Sequence, residues 1–355
     1  MKQFFSSFDW ILFLTFLGIT IFSLILNYFL SPNSFFQQIF YVFLGLIFFF
    51  LFSRIDFRIW EKLGLLGFLG SIVFLLTPFV FGTITRGALR WIRIGPFTLQ
   101  PSELVKPFLI IFFASFFSSR KTLNFRIVFF GLLFLLIPFL LIFFQPDLGS
   151  SLVVGVTWVG ILFAAGVPFE IILGGVGVGA VFLPLAWMFF LKEYQRQRIL
   201  SFLDPWTDPL GKGYNLIQST VAVGAGQFFG RGLGRGTQSG LQFLPERHTD
   251  FIFASFAEDF GFLGVLVLLL LFGVLLWRIL EIGRKAASSF AFLFCVGVFS
   301  LIFIQSFINI GMNLGLLPIA GVPLPLFSYG GSSFLATMMS LGIVENICYN
   351  TTHHV

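Results

Sequence analysis

The sequence predicts an all-α, polytopic membrane protein, and the basis for this prediction is its composition and charge distribution. The 355 residues have a mean hydropathy of +1.00, and 57% of them are hydrophobic. Only 10% are charged, compared with about 25% in an average soluble domain, which excludes a water-soluble fold of this size. The charged residues are also grouped, so they separate apolar runs of about 18 or more residues, the length that spans a bilayer.

Ten apolar segments follow one another along the chain. Lipid offers the backbone no hydrogen-bond partners, so each segment must satisfy its own amides by forming a helix. The fourth segment is short, and only Gly166, Val167 and Pro168 separate the sixth from the seventh, so the count can shift by one. We expect one integral membrane domain, 1–355. The predicted spans are 10–30, 35–53, 63–82, 104–119, 126–144, 148–166, 169–191, 251–277, 287–317 and 330–349.

Basic residues in the short connections predict the orientation of these helices. Three short connections carry Lys and Arg, whereas 31–34 and 317–328 carry no charge. Cytoplasmic loops are enriched in Lys and Arg, so both termini are predicted to be cytoplasmic. The long polar segment 192–250 then lies outside the membrane, between the seventh and eighth spans. The predicted cytoplasmic basic residues are Lys2, Arg54, Arg58, Lys62, Arg120, Lys121, Arg126, Arg278, Arg284 and Lys285.

The segment 192–250 is itself rich in basic residues. Long loops are exempt from the charge rule, which permits these residues but does not explain them. They serve either to attract anionic lipid headgroups or to hold an anionic substrate, such as a phosphate group. Aromatic and aliphatic residues are interleaved throughout, so we predict a folded cap, with a helix-compatible stretch at 214–225. The basic residues are Lys192, Arg196, Arg198, Lys212, Arg231, Arg235 and Arg247.

Within this segment, glycines at positions 230, 232, 234 and 236 alternate with Arg231, Leu233 and Arg235. Successive glycine amides can form an anion-binding nest, and the two arginines would add positive charge. The alternative is a flexible connection. The absence of a following GK[ST] in the sequence excludes a P-loop.

Asp250 is the leading catalytic candidate, because it lies where the polar segment meets the eighth span. A partly desolvated carboxylate beside Arg247 and His248 can serve as a general base. The alternative is a helix N-cap. On a helix that begins near Asp250, Glu258 lies about two turns deeper on the same face. Placing an ionisable residue within a span costs about 2.5–3.5 kcal/mol, which makes Glu258 a functional candidate too.

Further polar residues lie near other predicted membrane boundaries. Glu103 and Lys106 share one helix face and form either a structural ion pair or part of a site. Trp91, flanked by Arg90 and Arg93, is either an interfacial anchor or a ring that stacks on a sugar. The polar residues of the ninth span favour hydrogen bonding between helices over chemistry. These residues are Gln305, Asn309 and Asn313.

Five motifs occur in order along the chain: RWIRIGPFTLQPSELVK (90–106), QPDLG (145–149), FLDPWTDPLGKGYNLIQS (202–219), GTQSGLQFLPERHTDFIFA (236–254) and GVPLPLFSYGGSS (321–333). Together they resemble the SEDS family (shape, elongation, division and sporulation), and within it the RodA-like elongation branch. Division-type relatives typically have PEAHTDFIF where this chain has PERHTDFIF. The resemblance covers essentially the whole chain.

The resemblance implies a peptidoglycan glycosyltransferase of the bacterial plasma membrane. Such an enzyme polymerises lipid II at the outer membrane face during cell elongation and rod-shape maintenance. The implied partners are a class B penicillin-binding protein, which cross-links the strands, and membrane lipids, with no nucleic acid. The family's essential aspartate falls on Asp250, and its important tryptophan on Trp91. Its other site residues fall on Glu103, Lys106 and Glu258.

The implied reaction is one displacement with inversion, because an α-linked undecaprenyl pyrophosphate donor yields a β-1,4 glycan. Asp250 would act as general base on the acceptor 4-hydroxyl. A divalent cation, Mg²⁺ or Mn²⁺, is compatible with this chemistry, although the sequence shows no ligand set. The alternatives are a lipid II flippase, which would place charges or broken helices at mid-membrane, and a non-catalytic scaffold of the elongation machinery. The residues expected to stabilise the departing pyrophosphate are Arg198, Arg231, Arg235 and Arg247, and the alternative for some of them is a structural role.

Overall fold

The computed structural model describes residues 8–85, 88–95, 97–120, 122–190, 193–211 and 213–353. Helices dominate these residues, as predicted. Five basic residues of the chain lie outside the described residues: Lys2, Arg86, Lys121, Lys192 and Lys212. The helices are α1 Trp10–Leu30, α2 Pro32–Arg54, α3 Phe57–Lys62, α4 Gly64–Phe81, α5 Pro101–Leu104, α6 Lys106–Ser118, α7 Phe125–Phe144, α8 Leu148–Ala164, α9 Phe169–Leu185, α10 Glu193–Leu203, α11 Tyr214–Ala225, α12 Thr237–Gly240, α13 Ile252–Lys285, α14 Ser289–Asn313 and α15 Gly331–His353.

Seven helical segments in the described part of the chain are long and apolar enough to cross a bilayer. They are α1, most of α2, α4, α5 together with α6, α7, α13 and α14, and the apolar α8 is shorter. The protein is therefore a multi-pass membrane protein. The count of ten spans and the side on which the termini lie stay predictions.

The helices pack around a core rich in phenylalanine. The main contacts are between α2 and α15, between α13 and both α1 and α14, and between α14 and both α6 and α8. Gly342 allows α15 to approach α2 closely, since a Cβ atom there would lie 2.6 Å from the carbonyl oxygen of Phe49. Small residues at helix crossings are typical of membrane proteins, where close van der Waals packing drives association.

A small antiparallel sheet lies between α4 and α5 and was not anticipated from the sequence. Its strands are β1 Thr83–Thr85, β2 Ala88–Ile94 and β3 Phe97–Leu99, in the order β1-β2-β3. Trp91 of β2 pairs with Thr83, and Ile92 pairs with Leu99. Strands of three residues are too short for their alternation to be told from a loop in the sequence. The sheet places β2 at one end of the helix bundle.

Helix α13 is interrupted at Gly261, whereas the sequence predicted a continuous span there. Gly261 has φ 65° and ψ −166°, a conformation that in practice only glycine adopts. Residues 227–232 fill the break: the amide of Phe262 donates to the carbonyl of Gln227 at 2.9 Å, and the amide of Arg231 donates to the carbonyl of Glu258 at 2.9 Å. The part of α13 after the break is about 36 Å long at 1.5 Å per residue, enough to cross the bilayer alone.

The segment between α9 and α13 is folded in its described residues, as the sequence predicted. It contains α10, a 3₁₀ turn at Pro205–Thr207, α11 and α12. The stretch judged helix-compatible forms α11 with the expected boundaries, Tyr214–Ala225. Helix α11 packs on α13 and α14. The segment is thus attached to the bundle at the end that carries the sheet.

Candidate active site

A cleft with about 1000 Å³ of open space lies at the end of the bundle that carries the sheet. The sheet, α5, the residues before α13 and the segment 321–333 all contribute to its walls. Three residues singled out from the sequence meet here: Asp250, Trp91 and Glu103. Asp250 lies about 150 residues from the other two in the chain, and the fold brings all three to one surface.

Two side chains of α14 hold the backbone of Asp250 in place. The carbonyl oxygen of Asp250 accepts hydrogen bonds from the side-chain amides of Asn309 and Asn313, each at 3.1 Å. Asn309 also donates to the carbonyl of Val322 at 2.8 Å. Gly321 has φ 66°, and a Cβ atom there would lie 3.7 Å from Oδ2 of Asp250. The half-buried Asp250 carboxylate therefore lies on the cleft wall beside Gly321, which has no side chain.

Glu103 and Lys106 form a buried ion pair at the cleft. The distance from Lys106 Nζ to Glu103 Oε1 is 2.5 Å, and both side chains are at most 3% exposed. The Glu103 carboxylate also accepts from Ser150 Oγ and from Gln305 Nε2, each at 3.3 Å. Desolvation offsets much of the attraction in such a pair, so stability alone does not account for it. Glu103 lines the cleft, and Lys106 lies behind it.

Asp147, the N-cap of α8, organises the wall beside Glu103. Its carboxylate accepts from Gln100 Nε2 at 2.8 Å and from Ser102 Oγ at 3.2 Å. Arg90 Nη1 lies 3.9 Å from Asp147 Oδ1. Among the described lining residues, Arg90 is the one arginine or lysine. In the sequence, Arg90 stands out only as a residue that flanks Trp91.

The four arginines expected at the pyrophosphate are not among the described residues that line the cleft. Their contact with the pyrophosphate stays a prediction. Arg247 joins the segment to α1, donating to the carbonyls of Leu30 at 2.8 Å and Ser239 at 2.5 Å. Its burial lowers the pKa of the Arg247 guanidinium. Arg231 donates to the carbonyl of Ala225 at 2.8 Å. Arg235 and Arg198 are exposed, and Arg198 lines a separate cavity of about 640 Å³.

Glu258 also lies away from the cleft, and it anchors the folded segment instead. It is fully buried, and its carboxylate accepts from the amide of Gln238 at 2.8 Å and from the amide and hydroxyl of Ser239 at 2.9 and 2.6 Å. These bonds cap the N-terminus of α12. A contact between Glu258 and the substrate stays a prediction.

The glycine-rich stretch binds an anionic group of the protein itself. The amide of Gly234 donates to Oδ2 of Asp259 at 3.1 Å, and the amide of Gly232 donates to the Asp259 carbonyl at 3.0 Å. Gly230, Gly232 and Gly234 all have positive φ angles. The stretch is thus neither a free phosphate nest nor a flexible connection, because its amides hold it against the break in α13.

The chain matches a known protein family over nearly its whole length. The family model described as cell cycle protein, covering FtsW, RodA and SpoVE, matches residues 3–353. The chain belongs to this family. It is 41% identical over 310 residues to the peptidoglycan glycosyltransferase MrdB of Escherichia coli K12, covering 86% of this chain and 82% of that protein. It is 40% identical over 327 residues to stage V sporulation protein E of Bacillus subtilis 168, covering 89% of this chain and 87% of that protein.

Solved structures agree with the family relationship. A chain from a structure described as the structural coordination of polymerization and crosslinking by a peptidoglycan synthase complex superposes with a TM-score of 0.86. It is 31% identical, and the match covers 98% of this chain and 99% of that one. The rod shape determining protein RodA of Thermus thermophilus superposes with a TM-score of 0.73 at 27% identity, covering 96% of both chains.

Several cleft residues of this family member were not identified individually from the sequence. The ring centroids of Tyr329 and His248 are 5.6 Å apart, and the Tyr329 hydroxyl donates to the side chain of Gln37. Burial raises the pKa of Tyr329 to about 12, so the hydroxyl stays protonated. The sequence signal for these residues is the motif at 321–333, which contains both Tyr329 and Ser332.

The described residues contain no group of three or more His, Cys, Asp or Glu side chains placed to hold a metal ion. Among the described residues, three carboxylates line the cleft: Glu103, Glu246 and Asp250.

Proposed function

We propose that the chain is a peptidoglycan glycosyltransferase of the elongation type, polymerising lipid II into β-1,4 glycan strands. The observation that carries this proposal is the convergence of Asp250, Trp91 and Glu103 on one cleft. Membership of a family whose relatives include the E. coli peptidoglycan glycosyltransferase supports it.

The cleft supplies the groups that an inverting transfer needs. Asp250 takes the proton from the acceptor 4-hydroxyl as that oxygen attacks the donor sugar, and general bases typically contribute about 10²–10⁴-fold. Trp91 offers a ring face for a sugar. Arg90 is placed to stabilise the pyrophosphate as it leaves, because charge develops on that group in the transition state. Lys106 neutralises Glu103 and so limits repulsion between the cleft and the phosphates.

A groove beside the cleft suits the polyprenyl tail of the substrate. It has about 770 Å³ of open space and lies between α2, α4 and α6. Its walls are apolar, with Phe48, Phe74 and Phe108 facing Gly70. Leu104, next to Glu103 in the chain, also lines it. A lipid-linked sugar can therefore leave its tail in the membrane while its headgroup occupies the cleft.

The orientation and the partner belong to the same proposal. The cleft faces the outside of the plasma membrane, and both termini lie in the cytoplasm. The exposed basic residues Arg58, Lys62 and Lys285 at the opposite end of the bundle support this orientation. A class B penicillin-binding protein is the proposed partner, supported by the similarity to a chain of a peptidoglycan synthase complex.

The test is glycan synthesis from purified lipid II by the solubilised full chain, with and without a cognate class B penicillin-binding protein. We expect glycan from the wild type, none above background from Asp250→Ala, and wild-type yield from Glu193→Ala. Glu193 is a matched control because it is an exposed acid of the same segment that does not line the cleft. Equal glycan from Asp250→Ala would exclude Asp250 as the base. No glycan from the wild type with its partner would instead favour lipid II translocation or a scaffold.

A further inference from the structure

A second cavity lies at the opposite end of the bundle from the active-site cleft, and the proposed reaction does not use it. It has about 1270 Å³ of open space and lies among α3, the turn from α13 to α14 and the end of α15. The start of α15 lines the cleft, whereas Ile347 near its end lines this cavity, so the two sites lie a helix length apart. Phe57, Ala291 and Ile347 are buried and form an apolar floor.

Basic side chains form the rim of this cavity. Arg58, Lys62 and Lys285 are exposed and line it together with one acid, Glu61. Burial raises the pKa of the Glu61 carboxyl.

Two of the rim cations have acidic neighbours, but these pairs face solvent. Arg58 Nη1 lies 3.9 Å from Asp56 Oδ2, and Lys285 Nζ lies 2.6 Å from Glu281 Oε1. The side chains of Arg58 and Lys285 are 56% and 63% exposed. Exposed ion pairs contribute little, because water competes for both partners. An anion in the cavity can therefore recruit these side chains at low cost.

We propose that this cavity binds the phosphate-bearing headgroup of an anionic phospholipid. The rim cations contact the phosphate, and the apolar floor contacts the glycerol and the first acyl carbons. A lipid is favoured over a soluble phosphate because of where the cavity lies. Helix α2 ends at Arg54, α4 begins at Gly64 and α13 ends at Lys285, so the rim lies where three apolar helices meet the membrane surface.

The experiment measures binding of short-chain phosphatidylglycerol to the purified full chain in neutral detergent, by native mass spectrometry. Phosphatidylcholine of the same chain length and glycerol 1-phosphate serve as the other two probes. The test variant is the triple substitution Arg58→Gln, Lys62→Gln and Lys285→Gln. The matched control is Arg120→Gln, Arg126→Gln and Arg284→Gln, which removes three exposed charges that do not line the cavity.

We expect phosphatidylglycerol to bind the wild type and the control, and to bind the test variant about tenfold or more weakly. Ala287→Trp, which fills the cavity mouth without changing charge, should weaken binding similarly. Equal losses in test and control variants would show general attraction to basic loops and would overturn the proposal. Equal binding of phosphatidylcholine would overturn it as well. Glycerol 1-phosphate that binds as tightly as the lipid would identify a soluble anion as the ligand and would exclude the lipid.

Discussion

The side-chain amide of Asn313 donates a hydrogen bond of 3.1 Å to the backbone carbonyl of Asp250. Its Oδ1 atom accepts from the amide of Ala254 at 3.1 Å, so a single α14 side chain holds the backbone on both sides of the α13 start. We predict that Asn313→Leu lowers glycan synthesis per folded protein, because the position of the Asp250 carboxylate depends on this bond. The measurement is glycan yield normalised to the monodisperse fraction.

Asn346→Leu is the matched control for that substitution. Asn346 is also buried and joins helices, donating to the carbonyl of Ser53 at 2.9 Å and accepting from the amide of Phe57 at 2.8 Å. It lies at the end far from the cleft. We expect a similar loss of stability, since each variant leaves buried polar groups unpaired at about 1–3 kcal/mol, but no specific loss of activity. Equal losses of activity would contradict a positioning role for Asn313.

Gly261→Ala should destabilise the fold, whereas Gly273→Ala in the same helix should not. A Cβ atom at Gly261 would lie 2.2 Å from the amide nitrogen of Gly230, and its φ of 65° adds about 1–3 kcal/mol of backbone strain. At Gly273 nothing lies within 4 Å of an added Cβ atom, and alanine there favours the helix by about 1 kcal/mol. Thermal unfolding in detergent compares the two. An unchanged melting temperature for Gly261→Ala would mean that α13 is continuous.

Arg90→Gln should slow glycan synthesis, and Arg235→Gln should leave it near the wild-type rate. Arg90 lines the cleft, while Arg235 is exposed outside it. Removing a group that stabilises developing negative charge typically costs about 10²-fold in kcat. Steady-state rates with lipid II provide the measurement. A slower rate for Arg235→Gln than for Arg90→Gln would indicate that the pyrophosphate binds at the glycine-rich stretch.

The contributions of the Glu103–Lys106 pair to stability and to activity can be measured separately. Glu103→Gln leaves the Lys106 charge buried and unpaired, at a cost of about 3–5 kcal/mol. The double variant Glu103→Gln with Lys106→Met removes both charges and should recover most of that stability. We expect the double variant to remain inactive, as judged by thermal unfolding and glycan yield together. Recovered activity would assign the pair a structural role alone.

Gly70→Trp should block the polyprenyl groove without disturbing the fold. Nothing lies within 4 Å of a Cβ atom added at Gly70, so the indole enters open space between the groove walls. We predict poorer synthesis from full-length lipid II and a smaller effect with a short-chain analogue. Gly273→Trp, at another position with open space, is the control. An equal effect on both substrates would place the tail elsewhere.

The amino-acid sequence by itself determined the fold class and the family. Long apolar runs leave the backbone no choice but helix in lipid, so α1, α7 and α14 lie close to their predicted positions. Helix α11 was also predicted, because most of its residues are small or apolar. Asp250, Trp91 and Glu103 were identified because they belong to recognisable motifs.

Only the tertiary structure decided which charged residues share a surface. Arg247 and Glu258 were expected at the substrate, and in the folded chain Arg247 donates to the carbonyls of Ser239 and Leu30, while Glu258 accepts from the amide of Ser239. The break at Gly261 likewise depends on a segment some 30 residues earlier in the chain that inserts its amides and carbonyls there. Local periodicity sets which face of a helix is apolar, but the direction of a polar side chain depends on hydrogen-bond partners that only the folded chain supplies.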